Sequence, residues 1–189
     1  EWRIKVGKDG YIPSVSRLSI EETTTEMPTI TLWPQPAASG FYIRGETQLT
    51  PLQPQPVTRK GNALKSHRGL AALGDQIVQG DRLEILFHSE LRPDQVSRLS
   101  PALSSLTYLE EATLPSALGT PVTVKLYVSG EELPLSIETL PTRTDYLLTS
   151  EVLPSGAYAL STQGMLTDMT SEAFRALPKE LRIAWPFQH

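Results

Sequence analysis

Apolar and polar residues alternate through Trp2-Arg3-Ile4-Lys5-Val6, the pattern of a strand with one buried and one wet face. Asp9-Gly10 then reads as a turn, and further short strands are expected at Arg17–Glu21, Thr29–Trp33 and Phe41–Arg44. In Leu83-Glu84-Ile85-Leu86-Phe87 the alternation puts Leu83, Ile85 and Phe87 on one face. Val122 to Val128 is the clearest strand, followed by a turn at Ser129-Gly130-Glu131-Glu132 and a returning partner from Leu133 to Glu138. Tyr146–Thr149, Ala157–Leu160 and Arg182–Trp185 complete the set. Helical spacing is confined to short pieces. Pro93 can open one helical turn, and Ser100-Pro101 can cap and open a second, with Val96, Leu99, Leu103 and Leu106 along one apolar side. A brief helix from Ser171 to Leu177 is stopped by Pro178.

Many short strands punctuated by sixteen prolines and twelve glycines predict an all-β fold: one or more antiparallel Ig-like β-sandwiches with a few short helical turns. At 189 residues the chain accommodates one large domain or two smaller ones. Residues 81–189 read as a sandwich. Residues 1–80 read as a β-rich region that is either a separate small sandwich or a set of strands added to a larger one. The prolines at 51, 54 and 56 suggest an extended connector over about 50–68. One short echo links the halves: Ser39-Gly40-Phe41-Tyr42 and Ser155-Gly156-Ala157-Tyr158 share a Ser-Gly-x-Tyr core, left by two related units or by coincidence of four residues.

The net charge of −4 argues against generic nucleic-acid binding. Zero cysteines exclude disulfide scaffolds, thiolate zinc sites and cysteine nucleophiles. No apolar run is long enough for a membrane-spanning helix. No signal-like segment opens the chain and it begins at Glu1, so a cytosolic or already trimmed chain is expected, with trimming favoured. Within this acidic molecule no Asp or Glu falls between Glu46 and Asp75, and that interval carries Arg59, Lys60, Lys65 and Arg68 beside His67. These five residues are the candidate contact for an anionic polymer, a lipid head group or an acidic partner.

The stretch from Leu83 to Pro93, the strand Val122 to Gly130, Tyr146, the Leu153–Tyr158 turn and Thr167-Asp168 follow one another in an order that resembles the bacterial Ig-like domains of S-layer and other envelope proteins. The resemblance covers about 82–189. Met169-Thr170-Ser171 stands where that family often has Gly-Asn. The Leu-x-x-Gly-x-Tyr portion also resembles the tyrosine corner of Greek-key sandwiches, which implies a phenol hydrogen-bonded to backbone across the turn. What the resemblance implies is a non-catalytic structural or interaction module of a bacterial cell envelope, periplasmic, anchored or secreted, contacting another envelope protein or an anionic polymer.

Chemistry-bearing patterns are sparse. No nucleophile elbow, zincin helix, phosphate loop or dinucleotide fingerprint occurs, and no catalytic, cofactor-binding or metal residue is assigned. His67 lies among cations, His88 is expected to face solvent one step beyond Phe87, and His189 is terminal. The pairs Glu21-Glu22, Glu110-Glu111 and Glu131-Glu132 are adjacent residues, which point to opposite faces of a strand rather than across a cleft. Trp2 and Trp185 are expected in the core. Trp33, beside Pro34, and Tyr42 are the candidate stacking surface of a carbohydrate-binding alternative. A periplasmic small-ligand or metal carrier is the other alternative.

Overall fold

The computed structural model describes residues 2–18, 30, 32–44, 48–61, 65–79, 82–113, 122–151 and 153–189. Their strands are β1 (Trp2–Val6), β2 (Tyr11–Ile12), β3 (Ser14–Leu18), β4 (Trp33–Pro34), β5 (Gly40–Arg44), β6 (Leu49–Pro51), β7 (Gln55–Gly61) and β8 (Ser66–Leu70). They continue as β9 (Leu83–His88), β10 (Ala102–Thr113), β11 (Val122–Leu133), β12 (Ser136–Thr139), β13 (Asp145–Ser150), β14 (Ala157–Ser161) and β15 (Ile183–Gln188). The helices are α1 (Pro93–Leu99) and α2 (Ser171–Ala176), with a 3₁₀ turn at Lys179–Leu181. The protein is all-β, and its sheets are antiparallel.

Two large units form. Six strands close into a ring in the order β10-β11-β8-β7-β15-β14, and five form an open sheet in the order β12-β13-β9-β5-β6. Period-two alternation decides which residues enter which core. Leu83, Ile85 and Phe87 of β9 join Phe41, Ile43, Tyr146 and Leu148 of the open sheet against Leu103, Tyr158, Leu160 and Phe187 of the ring. Phe41 stacks on Phe87 at 4.5 Å between centroids and meets Trp185 edge-on at 4.6 Å. Alternate residues of the same ring strands face the other way. Ala159 and Ala184 lie with Val57, Leu70, Leu106, Met165, Leu166 and Phe174 in the ring's own core. A six-stranded ring has a narrow interior, so β14 and β15 supply alanine inward and aromatic or leucine side chains outward. On the far face of the open sheet, Ile12 and Trp33 cover Leu86.

Several local expectations are corrected. Residues 102–113 are strand β10, where a second helical turn after Pro101 is expected. Leu103 and Leu106 sit in different cores because residues three apart on a strand point to opposite faces. β11 runs on through Ser129-Gly130-Glu131-Glu132 without turning, with Glu132 opposite Ser104 and Leu133 opposite Leu103. The strand that follows, β12, pairs with β13 and not with β11. The stretch expected as a connector contains β6 and the β7–β8 hairpin, whose strands join the same sheets as the second half of the chain. Glu21-Glu22, the later part of the Arg17–Glu21 strand, and Thr29 and Thr31 of the Thr29–Trp33 strand lie outside the described residues, as does the side chain of Trp2.

His88 is largely buried, not solvent-facing. Its Nδ1 lies 2.8 Å from Oδ1 of Asp145, a carboxylate with no exposed surface, and the two residues are opposite each other on β9 and β13. An acid that deep is retained only when hydrogen-bonded or paired.

The Ser-Gly-x-Tyr echo has a shared geometry. Tyr42 donates to the carbonyl of Ala38 at 2.7 Å and Tyr158 to that of Pro154 at 2.6 Å, each four residues upstream. Tyr146 donates to Leu91 O at 2.7 Å, tying β13 to the loop before α1. Burial pushes the phenols of Tyr146 and Tyr158 above their usual value, with Asp94 and Asp145 adding to the effect at Tyr146. Because the folded values exceed the unfolded one, which is about 10, this stabilisation is complete below that pH and is lost as pH rises through the folded values. Denaturation followed from about pH 8 to about pH 11.5 is therefore expected to show a falling midpoint above about pH 10. The variant Tyr146→Phe/Tyr158→Phe should start lower but fall less. Parallel curves for the two proteins would contradict this.

Candidate functional site

The β7–β8 hairpin carries the basic stretch, and its register sorts the charges. Arg59 is opposite Arg68, Lys60 is opposite His67, and Gly61 is opposite Ser66. Residues directly opposite share a face and neighbours alternate, so Arg59 and Arg68 look one way and Lys60 and His67 the other.

The second set is met by acid. His67 Nε2 lies 3.3 Å from Glu111 Oε2, and Lys65 pairs with the same carboxylate. The hydrogen bond from Lys65 holds the Glu111 carboxyl below its ordinary range, helped by the charges of Lys65 and His67 against desolvation. Beside them Lys125 pairs with Glu110 at 2.9 Å, and Lys60 Nζ reaches Lys125 O at 3.5 Å. On this side Glu111 meets Lys65 and His67, and Lys60 meets a backbone carbonyl.

The first set is reinforced by more cations. A groove of about 430 Å³ lies between β7 and the segment from α2 to the 3₁₀ turn, lined by Pro56, Val57, Thr58, Arg59, Phe174, Arg175, Lys179 and Arg182. No described acidic residue lines it. The local chain explains how these residues arrive. Thr170 caps α2 by accepting from Ala173 N–H at 3.1 Å, which sets Phe174 into the ring core and leaves Arg175 exposed. Pro178 ends the helix, and the 3₁₀ turn presents Lys179. Arg182 folds back, donating from Nε and Nη2 to Leu177 O at 3.1 and 2.8 Å and from Nη2 to Arg175 O at 3.0 Å. Its guanidinium also lies 5.0 Å from the Phe174 ring centroid, and that of Arg68 lies 5.6 Å from it.

Arg68 anchors the rear of this arrangement, donating from Nη2 to Thr167 O at 3.2 Å. Burial lowers its pKa. Asp168 opposes that shift, and Arg59 adds to it. Like charges directly opposite on paired strands repel, and the Asp168 carboxylate offsets part of that cost at Arg68.

The other candidate pair sits elsewhere. Trp33 and Tyr42 both pack with Leu86 on the far face of the open sheet. Trp33 is only 9% exposed, against the expectation that it is the exposed tryptophan, so its ring borders a cavity rather than forming an open platform. That cavity, about 390 Å³, is lined by Ile12, Leu49, Leu86 and Leu147 with Arg3 and Glu138 among its polar residues.

Phe174, Arg175, Lys179 and Arg182 were not among the sequence candidates. Their only local signal is three cations within eight residues, diluted by Glu180. Comparison with known protein families, curated proteins and solved structures returns no match. Among the described residues no helix is long and apolar enough to cross a membrane.

Proposed function

We propose that this protein is a non-catalytic interaction module that holds an anionic partner in the groove between β7 and α2. The observation that carries this reading is the convergence of Arg59, Arg175, Lys179 and Arg182 on one groove that no described acid lines. The groove's charged side chains offer guanidinium and ammonium hydrogen-bond donors, a set suited to binding an anion. Arg182 is already oriented by three hydrogen bonds and by Phe174, so little side-chain freedom is lost when an anion arrives.

Arg175 and Lys179 are exposed and pack against nothing in the cores, which makes them clean probes. Arg175→Glu/Lys179→Glu is expected to keep the thermal midpoint of the parent while weakening binding of poly-glutamate at least tenfold, a change of about 1.4 kcal/mol. Parent binding should also weaken as salt rises. Equal affinity of the two proteins in calorimetry would end the proposal. Placement in a bacterial envelope, to which the resemblance of residues 82–189 points, belongs to the same reading; fractionation that finds the protein only in cytosol would remove it.

A further inference from the structure

The groove offers backbone as well as charge. β15 pairs with β7 only at Gln55 and Pro56, and the next bond on that side is Val57 N–H to Arg182 O at 2.7 Å. This bond sets the phase of the strand. Backbone groups of successive residues point to opposite edges, so Arg59 N–H and C=O and Gly61 N–H point to the same side as Val57 N–H, away from β8. Among the described residues no strand pairs with that edge beyond Val57. Alongside it stand Arg59, Arg175, Lys179 and Arg182.

Resting on the anion-binding reading above, we propose that this edge of β7 accepts an extended acidic peptide as an added strand. The edge presents the acceptor Arg59 C=O as well as the donors Arg59 N–H and Gly61 N–H. A phosphate or other simple anion can meet only the donors. A peptide backbone meets both, and strand addition is an established mode of peptide recognition. Every second side chain of the added strand, about 6.8 Å apart, faces the same way, so acidic residues at alternate positions form one row against the cations. The chemistry selected is a segment with Asp or Glu at every second position and no proline where an N–H is needed.

The test uses the full chain, labelled with ¹⁵N, and three probes: a capped octapeptide of alternating Glu and Thr, the same peptide N-methylated at alternate residues in both possible registers, and inorganic tripolyphosphate. The expected result is binding of the parent peptide, with the Arg59 and Gly61 amides shifted and protected from exchange while those of Thr58 and Lys60, which face β8, change little. One N-methylated register should bind at least tenfold more weakly, and Arg175→Glu/Lys179→Glu should weaken the parent peptide by a similar factor. Should both N-methylated peptides bind as well as the parent, or the Arg59 and Gly61 amides stay unprotected, strand addition is wrong, while sensitivity to Arg175→Glu/Lys179→Glu would leave the anion-binding reading standing. If neither peptide nor tripolyphosphate binds, both readings fall.

Discussion

Gly69→Ala is expected to open the six-stranded ring and to destabilise the protein by about 3 kcal/mol or more. A Cβ at this position would lie 2.2 Å from the carbonyl oxygen of Tyr127 and 2.9 Å from its carbonyl carbon. Both atoms belong to the backbone of β11, so no side chain can swing away to make room. The backbone at Gly69 does not require a left-handed conformation, which leaves space as the sole cause. The location makes the clash costly. β8 and β11 meet in register only at Leu70 and Tyr127, one residue away, and this junction closes the ring. Gly156→Ala is the internal control, because the nearest atoms to its Cβ would be those of the Tyr158 side chain, at 3.6 Å, an ordinary contact distance. That substitution should fall within about 0.5 kcal/mol of the parent. Urea unfolding of the two variants decides the matter; equal stabilities would show that the close approach of β8 to β11 is not what holds the ring shut.

Phe174→Ala should cost about 3–5 kcal/mol, the range for removing a buried phenylalanine. Phe174 is 3% exposed and packs with Val57, Leu70, Leu106 and Ala184. Since Ala159 and Ala184 contribute little volume to the ring core, the aromatic ring from α2 supplies much of its filling. The same side chain is the surface on which the Arg68 and Arg182 guanidinium groups rest. Phe174→Leu separates the two roles. It keeps most of the apolar volume, with a cost of about 1 kcal/mol, but it removes the cation–π support. Calorimetric titration with poly-glutamate should then show weaker binding by a protein that remains folded. A Phe174→Leu variant binding as tightly as the parent would mean that Arg182 is positioned by its bonds to Leu177 and Arg175 alone.

Strands were readable wherever both faces obey one local rule. Alternation places Leu83, Ile85 and Phe87 on a common face, and they occupy the main core. The tyrosine at 158 was expected to bond across its turn, and its hydroxyl meets Pro154 O. Misreading came where two rules give the same spacing. Leu103 and Leu106 are three residues apart, a spacing that puts them on one side of a helix but on opposite sides of a strand. The prolines at 51, 54 and 56 suggest a connector, yet Pro56 fits in β7 because its nitrogen faces the β8 edge, one residue before the pairing with β8 begins at Val57.

For the candidate site the division is sharper. Arg59, Lys60, Lys65, His67 and Arg68 were recognisable as a group because charge density along a chain is a local property. Their separation into a side that meets Glu111 and a side that meets the cations of the α2 segment depends on the hairpin register and on Glu111, forty-three or more residues beyond the stretch in sequence. The arrival of Arg175, Lys179 and Arg182 depends on α2 burying Phe174 in a ring whose six strands come from both halves of the chain. By itself the sequence determined strand content, face alternation and the location of one basic run, since each follows from neighbours one to four residues apart. Only the tertiary structure decided which of those cations remain unpaid by acid, because the field at a guanidinium is set by whatever the fold brings within a few ångströms of it, irrespective of distance along the chain.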